Sequence, residues 1–98
     1  MPSHFRQERI TSIIKDFSGL FISRVIGGGV FASVTGVEIT NDLMEATIFI
    51  SVFPEDKGQM AIGKLKKELG RLRTELSDKG GLSNPPHLDI ELSKVDIA

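Results

Sequence analysis

The apolar residues of this chain change period twice, and each change falls on glycine or proline. From Arg6 to Ile22, Ile10, Ile13, Ile14, Phe17 and Phe21 lie at i, i+3, i+4, i+7 and i+11. That is one continuous stripe of a 3.6-residue repeat, the mark of an amphipathic helix. Pro2-Ser3 offers its start, and Gly27-Gly28-Gly29 ends it. The period then drops to two. Ala32 to Thr40 is rich in β-branched residues, and Glu45 to Phe53 sets Ala46, Ile48, Ile50 and Val52 against Thr47, Phe49, Ser51 and Phe53. Thr40-Asn41-Asp42 supplies turn chemistry between these strands, which predicts an antiparallel hairpin. Phe49 and Phe53 fall on its less apolar face.

After Pro54 to Gly58, the helical period returns from Gln59 to Ser77, with Ile62, Leu65, Leu69, Leu72 and Leu76 as its stripe. Gly70 lies inside that run, where glycine costs about 1 kcal/mol relative to alanine. A kink there, or close approach of a ligand to the backbone, would give it a purpose. Gly80-Gly81 and Pro85-Pro86 bracket a loop, and Leu88, Ile90 and Leu92 alternate with Asp89 and Glu91 as a last strand. The expected architecture is α+β: a three-stranded mixed sheet with both helices on one face, its last pairing parallel because a helix connects the strands. At 98 residues the chain has surface to bury for one core only, so residues 1–98 are expected to form a single domain.

Composition narrows the chemistry. With no cysteine there is no disulfide, thiolate metal site or cysteine nucleophile, which suits a reducing compartment. The polar start, Met1 to Arg9, is unlike a signal peptide, and Leu20 to Val37, the longest nearly uncharged run, contains Arg24 and three consecutive glycines, so no membrane span is expected. His4 and His87 are scattered, with no spacing that makes a triad or a metal site. Glu55-Asp56 and Asp89/Glu91 read as solvated carboxylates rather than paired catalytic acids. Gly58 to Leu65 reads G-x-x-x-x-G-K-L, but Leu65 replaces the magnesium-binding hydroxyl of a phosphate loop, and Ile62 belongs to a helix stripe. Gly27, Gly29 and Ala32 match G-x-G-x-x-A but precede a strand, the wrong context for a dinucleotide site. The sequence therefore predicts no enzyme, no catalytic residue, no metal, no cofactor and no small-molecule substrate.

The positive charge is more informative. Twelve Lys and Arg against thirteen Asp and Glu give a net charge of −1, so phosphate binding requires the cations to be segregated. On the second helix Lys66 and Arg73 flank the apolar stripe, while Lys64, Lys67 and Arg71 cluster opposite it. Gly63, Gly70 and Thr74 lie between the two rows, a strip of small residues that would let a phosphodiester reach the backbone. Arg6, Arg9 and Lys15 of the first helix, and Arg24 after it, could extend the path. The plainer reading is a solvated helix face, with Glu68 and Glu75 pairing with Lys64 and Arg71 at i+4. Residues alone leave both open, together with a third, a protein-interaction domain that docks through its sheet edge or its Phe49/Phe53 face.

Val34 to Phe53, VTGVEITNDLMEATIFISVF, resembles the hairpin of the ribosome-binding factor A family in Val37, Thr40, Asp42, Leu43, Ala46 and Ile48. The opening Arg9-Ile10 helix, the run Leu65 to Arg73 and the closing Pro86-His87-Leu88-Asp89-Ile90 are similar too. The resemblance implies a type II KH-like fold with a kinked second helix. It also implies a cytoplasmic, monomeric assembly factor that binds 16S ribosomal RNA on the small (30S) ribosomal subunit and assists late maturation, often in the cold. The RNA-binding residues it implies are Lys64, Lys66, Lys67, Gly70, Arg71 and Arg73, with Arg9 and Lys15. Three departures stand out. Glu68 occupies the place of the family's kink alanine, Gly27-Gly28-Gly29 falls near its D-P-R, and Ser77 to Asn84 replaces a basic run. The chain also ends soon after the last strand, where the family often carries a polar tail.

Overall fold

The computed structural model describes residues 3–93, with side chains from Arg6 onward. The element order is α1 (Ser3–Val25), β1 (Phe31–Ile39), β2 (Glu45–Phe53), a short 3-10 turn (Glu55–Lys57), α2 (Gly58–Asp78) and β3 (His87–Leu92). The sheet order is β1-β2-β3, with β1 antiparallel and β3 parallel to β2. This is the mixed sheet that the order of periods predicts.

Both helices cover one face of that sheet. Ala46, Ile48, Ile50 and Val52 of β2 pack with Ile90 of β3, with Ile14, Phe21 and Ile22 of α1, and with Ala61, Leu65, Leu72 and Leu76 of α2 in one apolar cluster. The expected stripes hold, with two adjustments. α1 runs on to Val25 and places Ile22 and, just beyond it, Ile26 in the core. On α2 the centre of burial moves to Ala61, Leu65, Leu72 and Leu76, leaving Ile62 and Leu69 at the margin. Helical hydrogen bonding passes unbroken through Gly70, so α2 is not divided in two there.

Local chemistry fixes the connections. Gly28 and Gly29 take positive φ values of 67° and 85° between α1 and β1, conformations open to glycine. The β1–β2 turn is held by side chains. Asp42 Oδ1 accepts from Thr40 Oγ1 (2.6 Å) and from the Met44 amide (3.0 Å), and Thr40 Oγ1 accepts from the Glu45 amide (3.1 Å). These bonds hold Leu43 at φ 63°, a left-handed conformation that a leucine adopts only under such constraint. The register shifts between Val34 and Gly36, a bulge that the alternation in β1 does not reveal. α2 ends where Leu82 N donates to Leu76 O and Gly81 turns at φ 75°.

The other face of the sheet is open. Phe31 is paired with Phe53, Ser33 with Ser51 and Glu38 with Thr47, while Asp89 and Glu91 of β3 lie beside Thr47 and Phe49. Phe31 and Phe53 are 68% and 69% exposed. Among the described residues no helix is long and apolar enough to cross a membrane.

Candidate nucleic-acid interface

Gly58, the first residue of the phosphate-loop near-match, is already helical at φ −56° and buried, and a Cβ there would lie 2.9 Å from Leu92 Cδ1. The segment is therefore the start of a helix packed on β3 and makes no loop around a phosphate. Gly63 and Gly70 are different. Both are exposed, and a Cβ on either would meet nothing within 4 Å. Helix packing gives no reason for them. The strip of small residues thus faces solvent, with Thr74 Oγ1 turned back onto Gly70 O at 3.0 Å.

The cations around this strip are not equivalent. Lys64 and Lys67 are exposed and make no ion pair or side-chain hydrogen bond among the described residues. Lys66 Nζ lies 3.7 Å from Asp89 Oδ1, and Arg71 Nε lies 3.6 Å from Glu68 Oε2. Both contacts are long and exposed, worth well under about 1 kcal/mol. Glu68, in the position of the family's kink alanine, thus leans on Arg71.

Arg73 departs from expectation. It is half-buried, and its Nε and Nη2 donate to Pro86 O (3.2 Å) and Pro85 O (2.8 Å). It clasps the α2–β3 loop and does not stand free beside Lys66 as a phosphate ligand. The pairing expected of Glu75 with Arg71 is also replaced. Glu75 takes Arg24 instead, whose Nη2 lies 2.7 and 3.0 Å from the two carboxylate oxygens and ties the end of α1 to α2. The spacing of Glu75 and Arg71 on one helix favoured the nearer partner, and packing brought a better one across the sequence.

Arg9 lies with Arg6 in the first turns of α1, on the rim of a basin that these turns share with Arg73 and the loop after α2. Lys15 is exposed on α1 and lines neither this basin nor the neighbouring surface groove. His4 lies within α1, with its side chain outside the described residues. No group of three or more His, Asp or Glu side chains is placed to hold a metal ion among the described residues. Glu38, Asp89 and Glu91 are exposed along the open sheet face, and from its edge Asp89 reaches Lys66.

The family model for ribosome-binding factor A matches residues 6–96. Among curated proteins, the chain is 34% identical over 89 residues to ribosome-binding factor A of Clostridium novyi, covering 90% of this chain and 69% of that protein. It is 32% identical over 78 residues to that of Flavobacterium johnsoniae, covering 76% and 60%. With the Levilactobacillus brevis protein it shares 36% identity over 61 residues, which is 60% of this chain and 53% of that one. The matched region therefore spans between about half and two thirds of these relatives' length. In fold, the chain is similar to crystalline ribosome-binding factor A from Thermus thermophilus, with a TM-score of 0.72 and 17% identity over 84% of this chain and 89% of that one. It is also similar to Thermus thermophilus ribosome binding factor A coordinates fitted into the cryo-EM map of a 30S complex, with a TM-score of 0.77 and 19% identity over 91% and 97%. The hairpin built on Thr40 and Asp42, the KH-like order of elements and the match from residue 6 to 96 agree, and the chain belongs to the ribosome-binding factor A family.

Proposed function

We propose that this protein is a non-catalytic assembly factor that binds the small (30S) ribosomal subunit through its 16S rRNA and assists a late step of its maturation. In this reading residues 1–98 act as one KH-like ribosome-binding domain, cytoplasmic and monomeric, with a role that grows in importance in the cold. The observation that carries it is the exposed Gly63/Gly70 strip on α2, which packing leaves unexplained and which Lys64 and Lys67 border without competing partners. A phosphodiester that approaches there meets bare helix backbone beside two cations of one flank. Lys66 and Arg71 can turn to the same phosphates. Fold-level likeness and family membership supply the partner, since the relatives are named for binding the ribosome and one is fitted to a 30S map.

The test is co-sedimentation with purified 30S subunits at low and moderate salt. Binding that weakens steeply with salt is expected, because released counterions drive association. The Lys64→Glu/Lys67→Glu double variant is expected to lose it, while Glu91→Gln, on the open sheet face, keeps it. Equal loss from both variants, or salt-independent binding, overturns the assignment to α2. A second reading has one observation in its favour, the exposed Phe31/Phe53 pair on the uncovered sheet face. Partner capture that survives ribonuclease and is lost in Phe53→Ser would move the function to a protein-docking surface.

A further inference from the structure

The basin that holds Arg9 encloses roughly 480 Å³ between the first turns of α1, the β1–β2 turn and the loop that joins α2 to β3. That volume lies in the range of small-ligand sites. Its apolar lining comes from three separate elements: Ile10 and Ile13 of α1, Leu43 of the turn and Leu82 of the loop. Each of these is only half-buried, so the basin is a site of incomplete packing at the margin of the core. Its walls are fixed. The Thr40–Asp42 bonds hold Leu43 in its left-handed conformation, and Arg73 holds Pro85 and Pro86.

Charge distinguishes it from a simple gap. Arg6 and Arg9, at i and i+3, line the same basin as Arg73. None of the three has a carboxylate partner among the described residues, and the guanidinium of half-buried Arg73 is met only by neutral carbonyls. Asp42, the one acidic side chain in the lining, is engaged by Thr40 and the Met44 amide. Arg6 and Arg9 are exposed at the mouth of the basin, and two unpaired cations three residues apart there attract an anion. Apolar lining beside unpaired arginines matches a ligand with a flat ring at one end and a phosphate at the other, and Asn84 in the lining offers an amide to a base edge.

We propose that this basin binds one unstacked nucleotide, its base against Ile10, Ile13 and Leu43 and its phosphate on Arg6 and Arg9. The inference rests on the RNA-binding reading and adds to it a second contact, made by α1 and the two loops rather than by the α2 strip. The same chemistry is offered by a free mononucleotide and by a nucleotide extruded from an RNA strand. Single-stranded, splayed bases are the usual targets of sequence-sensitive RNA recognition.

The experiment is a titration of the full chain, with isoleucine methyl groups labelled for NMR, by AMP and UMP and separately by short oligo(A) and oligo(U). Shifts at Ile10 and Ile13 are expected with an oligonucleotide, and similar shifts with a mononucleotide would make the free form a competent source. In Arg6→Glu/Arg9→Glu, affinity for the ligand that shifts them is expected to fall at least about tenfold, as charge-assisted bonds are lost. Both positions are exposed on α1, where such a substitution changes stability little. Lys64→Glu/Lys67→Glu should leave the Ile10 and Ile13 response to mononucleotide, or to oligonucleotide at saturation, in place. Oligonucleotide shifts confined to α2 overturn the basin and spare the α2 reading. No shift at Ile10 or Ile13 with any of these probes, or shifts unchanged in Arg6→Glu/Arg9→Glu, also overturns the basin, and 30S binding decides the α2 reading separately.

Discussion

Replacing Arg73 with methionine keeps most of the apolar stem of the side chain and removes its fork of donors. Two hydrogen bonds disappear, at 2.8 Å to Pro85 O and 3.2 Å to Pro86 O. Both prolines are buried and neither has an amide hydrogen, so these carbonyls are the only backbone polar groups the two residues own. Hydrogen bonds from a charged donor contribute about 1.5–3 kcal/mol each. The longer bond is the weaker, and the half-exposed side chain lets water replace part of the loss. The equivalent of one full bond, about 2 kcal/mol, is therefore expected. For a domain of this size that is a fall in Tm of about 8–16 °C, or in the urea midpoint of about 1–2 M. Because the chain has no Trp or Tyr, unfolding is best followed by far-UV circular dichroism. Arg73→Lys should lose most of the same stability, since an ammonium cannot span both carbonyls. Lys67→Met, on exposed helix surface, should stay within about 0.5 kcal/mol of the parent. An Arg73→Met variant no less stable than Lys67→Met would refute the clasp.

Other substitutions report on different parts of the molecule. Gly70→Ala is expected to raise stability by up to about 1 kcal/mol, because the new methyl enters open space, while it weakens 30S binding; thermal melts and co-sedimentation of one preparation check both. Gly80→Ala should do the opposite, since its Cβ would come within 2.7 Å of Leu76 O, and a rise in its urea midpoint would contradict that geometry. The Ser18 hydroxyl is buried without a partner among the described residues, so Ser18→Ala should be neutral or stabilising, by about 1 kcal/mol, in the same urea assay. Asp42 is held below its ordinary value of 3.8 by the Thr40 hydroxyl first and the Met44 amide second. Its contribution is therefore fully present above that ordinary value and lost as pH falls through the lower, folded one; Asp42→Asn should flatten this acid limb of a stability-against-pH curve.

The elements were legible because their stripes are long and local. The alternation of Ala46, Ile48, Ile50 and Val52 and the spacing of Ile10 to Phe21 each report a period within one segment, and burial follows both. What the sequence hid depends on contacts between segments. The choice of Arg24 by Glu75, the attachment of Arg73 to Pro85 and Pro86, and the meeting of Arg9 with Leu43 and Leu82 each join residues far apart in the chain. Periodicity carries no signal for them. The bulge at Val34 and Gly36 was hidden for another reason, since a single unpaired residue leaves the composition of a strand unchanged. For the candidate site, the open Gly63/Gly70 strip could be read from spacing, whereas the inequality of the five cations around it could not.

The position of β2 between an antiparallel and a parallel neighbour also sets an order of assembly. Ile39 meets Ala46 across a tight turn, but Ala46 meets Leu88 only after the whole of α2 has been laid down. Closing a loop roughly six times longer costs about 1.6 kcal/mol more chain entropy. The hairpin is thus the natural nucleus and β3 the late arrival, so substitutions at Ile48 should slow folding while those in β3 chiefly speed unfolding. Arg73 grips the segment that leads into this last strand. Kinetically it is a latch: loosening it shortens the lifetime of the native state and leaves the rate of reaching it nearly unchanged.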